Sequence, residues 1–250
     1  EKNSEYNYQN SLIKQGSDLA FNLGVNTYNA KTDAEKYEAI TNTINSKITL
    51  SNTLELDKNS IVTFGSGGSI SGGTIVGNNS TIIADHKVFY DVNVKGTWDC
   101  IGNVGWFADG CKGVNVHGIP NKTDDYNGIQ QALDSSFSEL VFPPKIFYTS
   151  QTLVLRKEKK LVLQGVSMGN SLYNKNESRL NTCIIYTDKN IDLLHIIVTD
   201  DNKNKNPSAR TTNSVSIVGG NFDVSLTQSG GAFTTYTANC ITVFTNDYDT

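Results

Sequence analysis

Apolar and polar positions alternate along most of this chain in short bursts, each broken after a few residues by polar turn formers. Lys47–Leu50, Thr53–Leu56, Ser60–Phe64, Ser69–Val76, Ser80–Ile83, Lys87–Tyr90 and Val92–Trp98 alternate or run apolar, with Gly, Asn and Asp punctuating the series. The pattern resumes in Leu140–Pro144, Thr152–Leu155, Lys160–Gly165, Thr182–Tyr186, Leu193–Val198, Val215–Val218, Phe222–Val224 and Cys240–Phe244. Period-two alternation over such short spans predicts half-buried strands, and the close punctuation predicts an all-β stack. No strand carries a proline in its middle, so each can pair on both edges. The polar runs Met168–Arg179, Asp200–Thr212 and Leu226–Thr237 predict loops, where binding surface is commonly built.

Two windows carry a different period. In Asn121–Asp134, Ile129, Ala132 and Leu133 share one helical face, Thr123 is placed to cap the first turn, and Asp124 and Asp125 sit where the helix dipole favours negative charge. Upstream, Thr32–Glu35 fits a capping box, and Tyr37, Ile40 and Ile44 supply an apolar stripe, so the spacing predicts a helix over 33–45. Residues 1–30 are polar and Asn-rich, and read as an arm that orders against a partner or holds a helix near 15–21.

The two halves echo each other. Lys31–Asp33 recurs as Lys122–Asp124, Thr53–Leu56 as Thr152–Leu155, and Ile61–Gly65 as Leu161–Gly165, at offsets of about 90 to 100 residues. Self-similarity at a fixed scale is the mark of stacked architectures. The echo divides the chain into an arm (1–30), a helix with a β-rich module (31–104) and a second stack start (105–250).

Composition narrows the function classes. The net charge is −4, and the one basic cluster is Arg156–Lys160, so no face is positive enough to make nucleic acid a partner. No run is long enough to cross a bilayer, and no signal peptide is visible. Chain ends at Glu1 and just after the strand-like Ile241–Phe244 read as cuts in a longer chain. Cys100, Cys111, Cys183 and Cys240 form no CxxC pair and no zinc spacing. They read as free thiols, with a Cys100–Cys111 bridge left open.

Taken together, Trp106–Gly110, Asn121–Asp125, Ile129–Leu133, Val141–Pro144, Tyr148, Thr152–Leu155 and Leu161–Gly165 resemble the N-terminal end of the pectate-lyase-like superfamily. The resemblance is to the version found in bacteriophage tailspikes, tail fibres and related extracellular glycan-active proteins. It covers residues 105–165 well and the later strands loosely. Gly72–Asn79 and Gly96–Trp98 also look like the region preceding this module in phage fibre proteins. The resemblance implies a right-handed parallel β-helix whose open end is plugged by a short helix, with the strand before Phe142–Pro144 starting the first coil. It departs from the family at Cys111–Pro120, where a longer loop replaces a short link. The matched residues build cap and coils, so the resemblance assigns no catalytic residue.

The chemistry-bearing residues divide accordingly. Asp124 and Asp125 form the most conspicuous carboxylate pair, but a helix N-terminus accounts for both. A glycosidase needs two carboxyls about 5–10 Å apart across a groove, for which Asp188, Asp192, Asp223, Asp247 and Asp249 are the candidates. A lyase needs clustered carboxylates around a cation and a basic residue; Arg156, Arg179 and Arg210 are available, and none sits in a motif. Asp200–Asn204 is oxygen-rich, yet Lys205 replaces the glycine an EF-hand-type loop requires, so no metal or other cofactor is expected. His86, His117 and His195 are isolated in sequence, His195 reading as a satisfied residue of an apolar strand. Gly65–Gly68 lacks the Lys-Ser/Thr of a phosphate loop. Tyr173, Tyr186, Phe233, Tyr236 and Tyr248 could stack on sugar rings or pack between strands.

Two functions follow as expectations. The first is a virion structural protein, part of a phage tail fibre or tailspike that binds host surface polysaccharide, homotrimeric and in contact with other virion proteins. The second is a secreted or cell-surface polysaccharide lyase or glycosidase on the same fold.

Overall fold

The computed structural model describes residues 23–25, 41–112, 121–156, 158–165, 183–198, 215–224 and 238–245. These residues form two compact units. Unit 1 holds those up to Phe107 together with Ser135–Phe137, and unit 2 holds Ala108–Asp134 and those from Ser138 onward.

In unit 1 the chain runs through three sheets in the same order, three times. The first pass is β2 (Thr41–Ile44), β3 (Lys47–Thr49) and β4 (Thr53–Glu55); a short β1 (Leu23–Val25) lies antiparallel on the outer edge of β2. The second pass is β5 (Ile61–Phe64), β6 (Ser69–Ser71) and the start of β7 (Thr74–Ile83). The third is the end of β7, then β8 (Phe89–Tyr90) and β9 (Asn93–Trp98). Each strand pairs in parallel with its counterpart in the next pass, 18 to 22 residues along the chain. Parallel pairing puts like positions side by side, so one apolar position per strand becomes a buried row. Ile48, Ile70 and Phe89 form such a row, as do Leu54, Ile75 and Val94, all buried. Each fully buried side chain of this size stabilises by about 1.5–3 kcal/mol. A short β10 (Gly102–Asn103) and a 3₁₀ turn (Val104–Trp106) end the unit, with Phe107 packed 5.0 Å from Phe89.

Residues in the left-handed region make two of the corners. Asn59 (φ 60°) and Asn79 (φ 52°) stand at like positions one pass apart, each followed by a buried serine. Ser60 Oγ donates to Ser80 Oγ at 3.2 Å, so a polar ladder turns the corner beside the apolar rows.

Unit 2 repeats the order. A helix, α1 (Tyr126–Asp134), precedes β11 (Glu139–Phe142), β12 (Ile146–Tyr148) and β13 (Leu153–Leu155). The second pass is β14 (Lys159–Leu163), β15 (Ile184–Thr187) and β16 (Leu194–Val198); the third is β17 (Val215–Gly219), β18 (Asn221–Val224) and β19 (Ile241–Thr245). All six strand pairs between successive passes are parallel. Leu140 and Leu161, Phe147 and Ile185, and Leu153 and Leu194 meet as inner rows. The chain is therefore all-β with parallel sheets, and α1 is the one α-helix among the described residues.

The residues before and within α1 cover the exposed edge of the first pass. Gln130 donates from Nε2 to the Val154 carbonyl and accepts the Val154 N–H at Oε1, both at 2.8 Å, so its amide stands in for a neighbouring strand. Asp125 N–H donates to the Tyr148 carbonyl and Cys111 N–H to the Ile146 carbonyl, which closes the β12 edge.

Two expectations, the end of the 33–45 helix and the Thr123 cap, need correction. Residues 41–44, the end of the predicted 33–45 helix, form β2: Thr41, Thr43 and Ile44 are β-branched, and in-register pairing with β5 outweighs the helical spacing of Ile40 and Ile44. The remainder of that segment lies outside the described residues. The side chain that meets the first turn of α1 is not Thr123 but Asp124, whose Oδ1 accepts the Tyr126 N–H at 3.1 Å. Cys100 and Cys111 are free thiols, as are Cys183 and Cys240. Ile146–Tyr148, not read as a strand from the sequence, is β12, with all three residues buried.

Candidate functional site

Two places gather polar side chains, one in each unit. In unit 1 a cavity of about 640 Å³ is lined by Phe64, Gly65, Ser66, Gly67 and Ile83–His86. Its walls are the corner between β5 and β6 and the corner between β7 and β8. The first needs a glycine at its end: a Cβ on Gly68 would lie 1.9 Å from the Ile44 carbonyl oxygen. That glycine thus serves close approach between passes. The second corner is pinned by Trp106, whose Nε1 donates to the Ala84 carbonyl at 2.9 Å. His86 joins the two corners, with Nδ1 2.7 Å from Asp85 Oδ1 and Nε2 3.0 Å from the Gly68 carbonyl. Asp85 is held below the usual carboxylate range first by its bond with His86. Its side chain is 95% exposed, and Ile83 beside it offers an exposed apolar surface. Cavities of this size, part apolar with a few fixed polar groups, suit small ligands or single sugar units.

In unit 2 the turn between β15 and β16 carries two of the candidate carboxylates. Asp188 accepts from Tyr148 OH at 2.8 Å and pairs with Lys122, which also lies 5.4 Å from the centre of the Tyr148 ring. Burial pushes Asp188 up, but the bonds from Lys122 and Tyr148 outweigh it and hold the carboxyl below its ordinary range. Burial first, then the hydrogen bond to Asp188 and its negative charge, push the Tyr148 phenol well up. Asp192 accepts from Thr242 Oγ1 at 2.7 Å, from the Asn239 N–H at 2.8 Å and from Asn239 Nδ2 at 3.3 Å, with His195 Nε2 at 3.0 Å. The Thr242 and Asn239 bonds, then His195, depress it to about 2. Both carboxylates are therefore ionised near neutral pH. A glycosidase acid must hold its proton there, which takes a raised value, and neither residue has one.

The other candidates fall as follows. Asp124 is tied to α1 and to Ser150 N–H and Oγ, and Asp125 is buried with Oδ1 accepting the Gly110 N–H, so the conspicuous pair does structural work. His195 is half-buried between buried Leu194 and Ile196, with Thr242 opposite it; Asp192 supplies the partner that strand spacing could not show. Tyr186 is buried, its ring tilted against that of Tyr148 with centres 5.2 Å apart, which makes it packing rather than a sugar platform. Asp223 lies on β18 opposite Tyr186. Arg156 is exposed. Asp247, Asp249, Arg179, Arg210, His117, Tyr173, Phe233, Tyr236, Tyr248, Asp200–Lys205 and the three long polar loops lie outside the described residues. The Asp85–His86 corner was missed because nothing in the sequence places Gly68 beside it; the signal available was the repeated strand pitch, which aligns Gly65 with Asp85.

Among the described residues no three His, Cys, Asp or Glu side chains converge as a metal site would require. Among the same residues no helix is long and apolar enough to cross a membrane. Comparison of the chain with protein-family models, curated proteins and solved structures finds no match.

Proposed function

We propose that the chain is a virion structural and adhesion protein, part of a phage tail fibre or tailspike, whose two units are coils of a right-handed parallel β-helix that presents a surface to host glycan. The observation that carries this reading is the traversal of three sets of parallel-paired strands in one order, three times in each unit. Successive parallel strands joined by crossovers favour the right-handed path. The resemblance of residues 105–165 to tailspike and tail-fibre modules points the same way. The glycan would meet the unit 1 cavity, where the Asp85 carboxylate can accept from sugar hydroxyls beside the apolar Ile83. Trimerisation and contact with other virion proteins belong to the same proposal.

The test has two arms. Light scattering on the eluting protein is expected to give three times the 27.3 kDa chain mass, and a monomer at micromolar concentration would count against the fibre. A glycan array probed with the native chain and with Asp85→Asn is expected to show binding that the variant loses. Release of reducing or unsaturated sugar from the bound glycan would replace adhesion with the enzyme reading.

A further inference from the structure

The wall of the unit 1 cavity is held by an imidazole lying between two groups that can only accept. His86 Nδ1 meets the Asp85 carboxylate, and Nε2 meets the Gly68 carbonyl oxygen. Neither partner has a proton to give, so both bonds form only when both ring nitrogens carry one. A neutral ring has a single N–H and keeps a single bond. The bond to a carboxylate is the stronger of the two, so the one released is that to Gly68. That bond spans successive passes: Gly68 ends the corner between β5 and β6, whereas Asp85 and His86 sit between β7 and β8. The charged neighbours are Asp85 and Lys87, on the histidine's own corner; residues 44–46, 65–68 and 101–106, which flank it, contain no titratable side chain. In line with the geometry, the Asp85 bond, then the Gly68 carbonyl, raise the ring above the ordinary histidine value.

We propose that His86 is a pH-operated latch on this cavity. As the imidazolium it fastens the third pass to the second; on losing its proton it releases the Gly68 carbonyl and frees the wall formed by residues 84–86. The latch stands whether or not a glycan binds there, because its readout is the protein alone. A group whose folded-state value is raised stabilises fully below its unfolded value of about 6.5, and that contribution fades as pH rises through the folded value.

Trp106 reports on the latch, since its indole donates to Ala84, next to Asp85. Trp98, which donates to Ser136 Oγ at 3.1 Å, is the internal control. The experiment is an NMR titration of the ¹⁵N-labelled full chain from pH 5.5 to 8.5, following the histidine rings and the two indole N–H signals. His86, identified by its loss in His86→Gln, is expected to titrate above about 6.5, and the Trp106 signal to move with the same midpoint while Trp98 stays still. His86→Gln is expected to abolish the Trp106 inflection. In Asp85→Asn the carboxamide can donate to a neutral ring, so the midpoint is expected to fall. A native His86 midpoint at or below the ordinary value, or a Trp106 inflection that survives His86→Gln, overturns the latch. Should His86→Gln fail to fold, an unchanged midpoint in Asp85→Asn overturns it alone.

Discussion

Unit 1 and unit 2 follow the same three-sheet order with very different spacing. In unit 1 each strand meets its successor 18 to 22 residues later. In unit 2 the interval is 21 residues between β11 and β14, then 37 to 56 for the other pairs. The inner rows tolerate this because register is set strand by strand, and extra chain enters at corners, where long insertions cost little closure entropy. The corners are secured differently as a result. Unit 1 turns on backbone: left-handed Asn59, Asn79, Gly72 and Gly73, with buried serines behind the two asparagines. Unit 2 ties the corner after β15 with side chains, Asp188 to Lys122 and Tyr148, and Asp192 to Asn239 and Thr242. Burial also differs along the rows. Ile75 in the middle pass of unit 1 is 0% exposed, whereas Val243 in the last pass of unit 2 is 56% exposed, although its row neighbour Ile196 is buried.

The sharpest break of this comparison is a pair of truncations. Ile75→Ala removes a fully enclosed side chain and is expected to cost about 2–5 kcal/mol. Val243→Ala, on the same kind of inner row, is expected to stay within about 0.5 kcal/mol, as surface substitutions do. Urea midpoints of the two variants against the parent measure both. Equal losses would mean that the third pass of unit 2 is as fully packed as the middle of unit 1.

Corner glycines come next. A Cβ on Gly73 (φ 61°) would lie 2.5 Å from the Asn52 carbonyl oxygen and 2.6 Å from Leu50 Cβ. Gly73→Ala combines that clash with a left-handed backbone and is expected to cost about 2–3 kcal/mol. Asn79→Gly, at a corner asparagine that keeps the same φ, is expected to change stability by a few tenths of a kcal/mol. Thermal unfolding of the two variants checks the contrast, and a neutral Gly73→Ala would show that the corner relaxes.

The strands were legible because alternation fixes which residues face inward, and parallel stacking keeps that choice from pass to pass. Even the echo between halves has a structural counterpart: Thr53–Leu56 and Thr152–Leu155 supply β4 and β13, the third strand of the first pass in each unit, and Ile61–Gly65 and Leu161–Gly165 supply β5 and β14, which open the second. The finer repeat has only a faint trace in the sequence, Asn59-Ser60 and Asn79-Ser80, 20 residues apart. Ile146–Tyr148 escaped because three apolar residues between Lys145 and Thr149 show no alternation; both faces are buried. The polar groups were the least legible. Asp192 reaches Thr242 from 50 residues away, and His86 reaches Gly68 from 18. Such pairings are set by stacking, which no local pattern records.

The smallest effect expected concerns the side-chain corner of unit 2. Asp192 is depressed to about 2, and Thr242 is the largest cause. A carboxylate whose folded value lies below the unfolded one stabilises above the unfolded value of about 3.9, and that stabilisation is lost as pH falls through the folded value. The window for Asp192 is therefore about pH 4 down to about 2. Thr242→Val keeps the shape of the side chain and removes the hydroxyl donor, so the carboxyl is expected to titrate closer to its ordinary value, moving the acid loss of unit 2 to higher pH. The carboxyl is partly exposed, so water screens the effect and the change at neutral pH is expected to be slight. Carboxyl-carbon NMR of Asp192 between pH 2 and 5 reads the shift directly. The signals of Ser60 and Ser80, whose corner in unit 1 is held by neutral groups, are expected to be the same in parent and variant across that range. An Asp192 midpoint unmoved by Thr242→Val would assign the depression to Asn239 instead, and the tie between β16 and β19 at this corner would then be the Asn239 backbone rather than a side chain.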